Sequence, residues 1–60
     1  MPSPYPILET IMKQGFIVEM SMGKDNYIYV NASNTYSEVY EASGKTISEA
    51  IINLSHRIQS

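Results

Sequence analysis

The chain changes from an extended segment to a helix at Gly44-Lys45-Thr46-Ile47-Ser48-Glu49. Thr46 and Glu49 have the spacing of a capping box, in which the Glu49 backbone N–H donates to the threonine hydroxyl and the glutamate carboxylate reaches back to the Thr46 N–H. We therefore predict a helix over 47–58. Its apolar residues recur at helical spacing and form a core-facing stripe: Ile47, Ala50, Ile51, Leu54 and Ile58.

Three segments before this helix have the two-residue period of β-strands. They cover 16–22, 27–31 and 35–42 and are rich in aromatic and β-branched residues. Turn-forming residues separate them at 23–26 and 33–34. We expect a four-residue loop in the first hairpin and a two-residue loop in the second, which together make an antiparallel meander.

The first residues carry prolines at positions 2, 4 and 6. They predict an extended arm over 1–5 and then a short helix over 6–14, which Gly15 ends. The predicted element order is α-β-β-β-α, an α+β fold in which an N-terminal and a C-terminal helix flank a three-stranded antiparallel meander. Residues 1–60 are interpreted as a single small domain.

The expected loop lengths sort the strand residues onto two sheet faces, both of them apolar. One face carries Ile28, Val30 and Val39 with Ile17 and Ala32, and the other carries Phe16, Val18, Met20, Met22, Tyr27, Tyr29, Tyr36 and Tyr40. Two short helices on one face would leave the other exposed. We therefore predict a homodimer that buries Ile28, Val30 and Val39. An alternative interface consists of Ile52 and the edge strand around Tyr36 to Tyr40.

Composition disfavours several functional classes. Charged residues make up 17% of the 60-residue chain, the net charge is -2, and the four basic residues lie far apart. This pattern disfavours binding to nucleic acid or to an anionic membrane surface. No apolar run approaches the ~18 residues of a membrane span. The sequence thus predicts a cytoplasmic protein.

Residues for catalysis or metal binding are sparse. His56 is the only histidine, Asp25 is the only aspartate, and cysteine is absent. Gly44-Lys45-Thr46 matches the end of a phosphate-binding loop, but Val39 stands where the first glycine of that motif belongs. We predict no cofactor, no metal site and no enzymatic activity.

The segment over 42–53 resembles a known strand-to-helix junction. It contains Ala42, Gly44, Thr46, Glu49, Ala50 and Asn53, which match the pattern A-x-G-x-T-x-x-E-A-x-x-N of HicB-like antitoxin domains. The junction is also similar to that of short phage proteins with two helices and a small meander. The resemblance implies a small binding module encoded by a phage or another mobile element.

Three functions are consistent with these observations. The first is a phage or mobile-element inhibitor that occludes the surface of a host defence protein. The second is an antitoxin-like module that shields a small toxin. The third, which the charge disfavours, is nucleic-acid binding through stacking tyrosines: Tyr5, Tyr27, Tyr29, Tyr36 and Tyr40.

Overall fold

The computed structural model describes residues 3–59 and confirms the predicted α+β fold. Its elements are α1 (Tyr5–Lys13), β1 (Ile17–Met22), β2 (Ile28–Ser33), β3 (Val39–Gly44) and α2 (Ile47–Gln59). The three strands form one antiparallel sheet in the order β1-β2-β3. The predicted arm over 1–5 lies partly outside the described residues, and its last residue, Tyr5, already belongs to α1.

The ends of α1 follow the sequence signals. Pro6 lies in the first turn, where a missing backbone N–H costs nothing. Gly15 has a φ of +96° and donates its N–H to the Met12 carbonyl at 3.0 Å, so the helix ends there as predicted. On the surface, Lys13 Nζ lies 3.1 Å from Glu9 Oε1, an exposed pair worth at most about 1 kcal/mol.

The first hairpin closes through a three-residue loop. The Gly23 N–H donates to the Tyr27 carbonyl at 2.9 Å, and the Asn26 N–H donates to the Gly23 carbonyl at 3.1 Å. Asn26 has a left-handed φ of 65°. This is a type I turn followed by a left-handed residue. The predicted four-residue loop is therefore wrong by one residue.

The second hairpin repeats the same backbone geometry. The Asn34 N–H donates to the Glu38 carbonyl at 3.2 Å, and Ser37, with a φ of 67°, donates to the Asn34 carbonyl at 3.3 Å. The Asn34 side-chain carbonyl also accepts the backbone N–H groups of Tyr36 and Glu38 at 3.0 and 3.1 Å. Because this loop covers 35–37 and not 33–34, β3 begins four residues later than predicted.

These loops change the register and therefore the faces of the sheet. Met20 lies opposite Val30, and Val30 lies opposite Ala42. A slip of an odd number of residues moves a strand's side chains to the other face. The predicted sorting of faces is therefore wrong for β2, whereas β1 and β3 share their faces as predicted. We call the even-numbered face, which both helices cover, the core face: Val18, Met20, Met22, Ile28, Val30, Ala32, Tyr40, Ala42 and Gly44.

The hydrophobic core lies between this face and the two helices. α2 packs on β3 and β2, and α1 packs beside α2. The buried residues are Ile11, Phe16, Val30, Ala32, Ala50, Ile51 and Leu54. In the predicted stripe of α2, Ala50, Ile51 and Leu54 are fully buried and Ile58 packs at the margin, whereas Ile47 is half exposed.

The junction between β3 and α2 is held by two hydrogen bonds and a close approach of the backbone at Gly44. The Glu49 N–H donates to Thr46 Oγ1 at 3.1 Å, which confirms the first half of the predicted capping box. Asn53 Nδ2 donates to the Ser43 carbonyl at 2.8 Å. A Cβ added to Gly44 would lie 2.6 Å from the Ala50 backbone nitrogen. Helix α2 therefore starts directly against the end of β3.

Candidate protein interface on the open sheet face

Both helices lie on the core face, so the other side of the sheet is uncovered. We call this side the open face, and it consists of the odd-numbered strand residues. Three rows cross the strands: Ile17, Ser33 and Val39; then Glu19, Asn31 and Glu41; then Ser21, Tyr29 and Ser43. No lysine or arginine belongs to these rows, and two carboxylates do.

The middle row forms the floor of a shallow depression. Its volume is about 360 Å³, and its lining includes Glu19, Asn31 and Glu41 together with Tyr29 and Ser21. The two carboxylates stand on the outer strands with the Asn31 amide between them. Both glutamates are exposed. The depression therefore has an acidic character with one central amide.

Apolar side chains border the acidic row on one side. Ile17 is 68% exposed and Val39 is 57% exposed, and both stand in the row next to the carboxylates. On the other side lies the ring of Tyr29, which is also exposed. A second depression of about 220 Å³ continues from Tyr29 and Glu41 toward Arg57 at the end of α2.

The orientation of Tyr29 is set by the first hairpin. Its hydroxyl donates to Asp25 Oδ2 at 2.6 Å, and the Tyr27 backbone N–H donates to Asp25 Oδ1 at 3.0 Å. The Tyr29 hydroxyl, and then the Tyr27 N–H, hold the pKa of Asp25 below its usual value. The same carboxylate raises the pKa of Tyr29. The ring leaves no room for a Cβ at Gly23, which would lie 2.5 Å from Tyr29 Cε2.

The predicted interface residues do not share one surface. Val30 is buried in the core and Ile28 is half-buried on the core face, whereas Val39 stands on the open face. The three residues predicted as one sheet patch are therefore separated, because the register differs from the expected one.

The alternative interface residues are also dispersed. Tyr36 is exposed in the second turn, and Ile52 is half-buried on α2. Tyr40 is half-buried on the core face, where its ring meets Phe16 edge to face with 5.8 Å between the ring centroids. Tyr29 and Tyr40 thus stand on opposite faces, and the tyrosines make no common stacking platform.

Sequence reasoning missed the row formed by Glu19, Asn31 and Glu41. A signal was present in the sequence, because each of these residues lies two positions before a serine in its own strand and so shares a strand face with it. The row was not predicted because the residues in the two turns do not indicate three-residue loops, and the register depends on the loop lengths. A left-handed third loop residue is most often glycine, and here the two positions hold Asn26 and Ser37.

Among residues 3–59, no group of three or more His, Asp or Glu side chains is placed to hold a metal ion. Neither of the helices in this range has the length and hydropathy needed to cross a membrane.

Comparison of the chain with protein-family models, with curated proteins and with solved structures finds no match. The resemblance to HicB-like antitoxin domains thus rests on the motif over 42–53. Within that motif, Thr46 caps α2, Ala50 is fully buried and Asn53 binds the Ser43 carbonyl. Each of these residues serves the joint between strand and helix.

Proposed function

We propose that this chain is a non-enzymatic protein-binding module that covers a basic, partly apolar surface of a partner protein with its open face. The observation that carries the proposal is an uncovered sheet face with two carboxylates, exposed Ile17 and Val39, and no basic residue in its rows. Complementary charge selects and steers a partner. The bordering apolar side chains supply area that is buried on contact.

The mode of action in this proposal is occlusion. A flat sheet face has no deep cleft for a small substrate, and its depressions are shallow. A partner surface with Lys or Arg would place a cation between Glu19 and Glu41 and an apolar group against Ile17 or Val39. Inhibition of a host protein, and phage origin, stay predictions under this proposal.

Nucleic acid fits the same face less well. The tyrosine exposed there, Tyr29, lines a depression together with Glu19 and Glu41. A phosphate backbone following a base stacked on Tyr29 would meet both carboxylates, and nucleic-acid binding relies on basic groups near the phosphates. The antitoxin alternative draws on the motif over 42–53, whose residues are engaged in the joint between β3 and α2.

Affinity capture from a lysate of the source organism tests the proposal with two charge reversals. Glu41→Lys changes the middle row of the open face. Glu9→Lys makes the same charge change on α1, on the other side of the molecule, and serves as the control. We expect one protein to be retained by the wild type and by Glu9→Lys. With purified components, its affinity for Glu41→Lys should fall by at least about tenfold.

The apolar part of the face is tested by Val39→Ser, which should also weaken the captured complex without unfolding an exposed position. Equal retention by all the variants would contradict the proposal. So would recovery of nucleic acid with a steep salt dependence and no protein.

A further inference from the structure

The unpaired side of β1 is a second surface of this molecule, distinct from the open face. In an antiparallel pair, hydrogen-bonded and non-hydrogen-bonded residue pairs alternate. The Gly23 N–H bonds to the Tyr27 carbonyl, so the odd-numbered residues of β1 bond to β2. The backbone N–H and C=O groups of Val18, Met20 and Met22 therefore point outward from the edge of the sheet.

Nothing in β1 blocks the addition of another strand. Natural edge strands are protected by lysine, proline, bulges or inward charges. The six residues of β1, Ile17–Met22, contain no lysine or proline and pair with β2 without a bulge, and their one charged residue, Glu19, stands on the open face and not inward. Met20 and Met22, on the core face, are 42% and 65% exposed, so the helices leave this end of the face open.

The opposite edge of the sheet is different. By the same alternation, the Ser43 carbonyl points outward from β3, and there it accepts the Asn53 side-chain amide at 2.8 Å. α2 packs closely on β3. The two edges are therefore unequal, and β1 is the one with a full row of available backbone groups.

We propose that a second copy of this chain pairs antiparallel with β1, with the two-fold axis at Met20. Such an axis stands perpendicular to the sheet, so residues on the same face come opposite each other. Met20 meets Met20 of the second copy, and Val18 meets its Met22. All three outward-facing residues then form hydrogen-bonded pairs, and the two sheets join into one of six strands.

Charge selects this register over the one centred on Glu19. Centring on Glu19 places two carboxylates directly opposite each other, which is unfavourable. Centring on Met20 places Glu19 opposite Ser21 of the second copy. The apolar side chains of Val18, Met20 and Met22 also meet across the axis and cover one another. The register centred on Met20 thus pairs the outward backbone groups of the two copies and keeps their Glu19 carboxylates from standing opposite each other.

This dimer leaves the open face uncovered and does not rest on the proposed function. It doubles the acidic row, because the open faces of the two copies lie on the same side of the six-stranded sheet. A failure of one proposal is therefore visible separately from a failure of the other. Glu41→Lys should weaken partner binding by at least about tenfold without changing the mass of the dimer.

Sedimentation of the full chain over a range of micromolar concentrations tests the dimer, with two matched variants. Met20→Lys places a charge at the axis, and Met12→Lys makes the same change at a 56% exposed methionine of α1. We expect the wild type and Met12→Lys to sediment at twice the 6.8 kDa of one chain. Met20→Lys should sediment at 6.8 kDa with an unchanged circular dichroism spectrum. The dissociation constant of its dimer should be at least about tenfold higher than that of the wild type.

Cross-linking tests the register and does not depend on the folding of the lysine variant. The chain contains no cysteine, so a single introduced thiol reports one position. Hydrogen-bonded partners have Cα atoms about 5.5 Å apart, within the range of a disulfide. Met20→Cys should therefore oxidise to a covalent dimer much faster than Met12→Cys or Ser21→Cys, which keeps the Glu19 charge and stands off the axis. A wild type that sediments as a monomer at every concentration, or equal cross-linking at all three positions, would overturn the proposal.

Discussion

Gly44→Ala should be among the most destabilising single-methyl additions in this chain. The new Cβ would lie 2.6 Å from the Ala50 backbone nitrogen, 2.8 Å from Glu49 Cβ and 2.9 Å from the Glu49 carbonyl carbon. Two of these three atoms belong to the backbone in the first turn of α2, so no side-chain rotation relieves the clash. Gly44 has no positive φ, and the cost is therefore one of packing and not of backbone conformation.

The size of the effect follows from the displacement of α2 that the added methyl group requires. Overpacking of this kind costs about 1–3 kcal/mol. If α2 shifts away from β3, the hydrogen bond from Asn53 to the Ser43 carbonyl weakens as well, at a cost of about 1 kcal/mol. We expect the free energy of unfolding to fall by about 2–4 kcal/mol in total, against the roughly 3–5 kcal/mol that a core of this size supplies.

Urea denaturation followed by circular dichroism measures this loss. With a slope of about 1 kcal/mol per molar urea for so small a protein, the midpoint should fall by roughly 2–4 M, or the variant should be unfolded without urea. Gly15→Ala is the matched control. A Cβ there meets nothing within 4 Å, so only the positive φ of Gly15 is penalised, by about 1 kcal/mol.

A second mutation tests the mechanism. If the clash displaces α2, Asn53→Ala should cost less in the Gly44→Ala background than in the wild type, whereas its cost should be unchanged beside Gly15→Ala. A Gly44→Ala protein within about 0.5 kcal/mol of the wild type would refute the reasoning. If Gly44→Ala is unfolded without urea, the urea titrations of all the variants are repeated in sucrose, which favours the compact state.

Three further predictions concern the core, the second turn and the first turn. Leu54→Ala removes a fully buried side chain and should lower the free energy of unfolding by about 2–5 kcal/mol. The same truncation at half-exposed Ile47 should lower it far less. Equal melting curves for the two variants would contradict the packing of α2. Ser37→Gly should raise the free energy of unfolding by roughly 0.5 kcal/mol, because glycine adopts the left-handed φ of 67° without the penalty that serine pays; a lower urea midpoint would argue against this turn geometry. Because the pKa of Asp25 is lowered, its ionisation stabilises the fold above pH 3.8, its usual pKa, and this stabilisation is lost as the pH falls through the lowered pKa. Because the pKa of Tyr29 is raised, its protonated form stabilises the fold below pH 10.0, its usual pKa, and this stabilisation is lost as the pH rises through the raised pKa. Asp25→Asn should therefore flatten both limbs of a plot of melting temperature against pH, and unchanged limbs would contradict the bond between these two side chains.

The order of the elements could be predicted because it depends on neighbours in the chain. The capping residue Thr46 and the stripe of Ala50, Ile51 and Leu54 interact within one or two turns of a helix, so their spacing alone indicates α2. Gly15 likewise ends α1 by adopting a φ that other residues avoid. Alternation of side chains was enough to predict three strands, although β3 begins later than its pattern indicated.

The tertiary structure decided the register, and with it the faces and the candidate site. Hairpin register depends on which backbone groups bond across the loop, here Gly23 with Tyr27 and Asn34 with Glu38. Asn26 and Ser37 close these loops with a left-handed backbone, at positions where glycine usually marks such a turn. Because side chains alternate along a strand, a slip of one residue exchanges core and solvent faces. Local sequence therefore determined which elements form, and long-range backbone pairing determined which of their residues are left exposed.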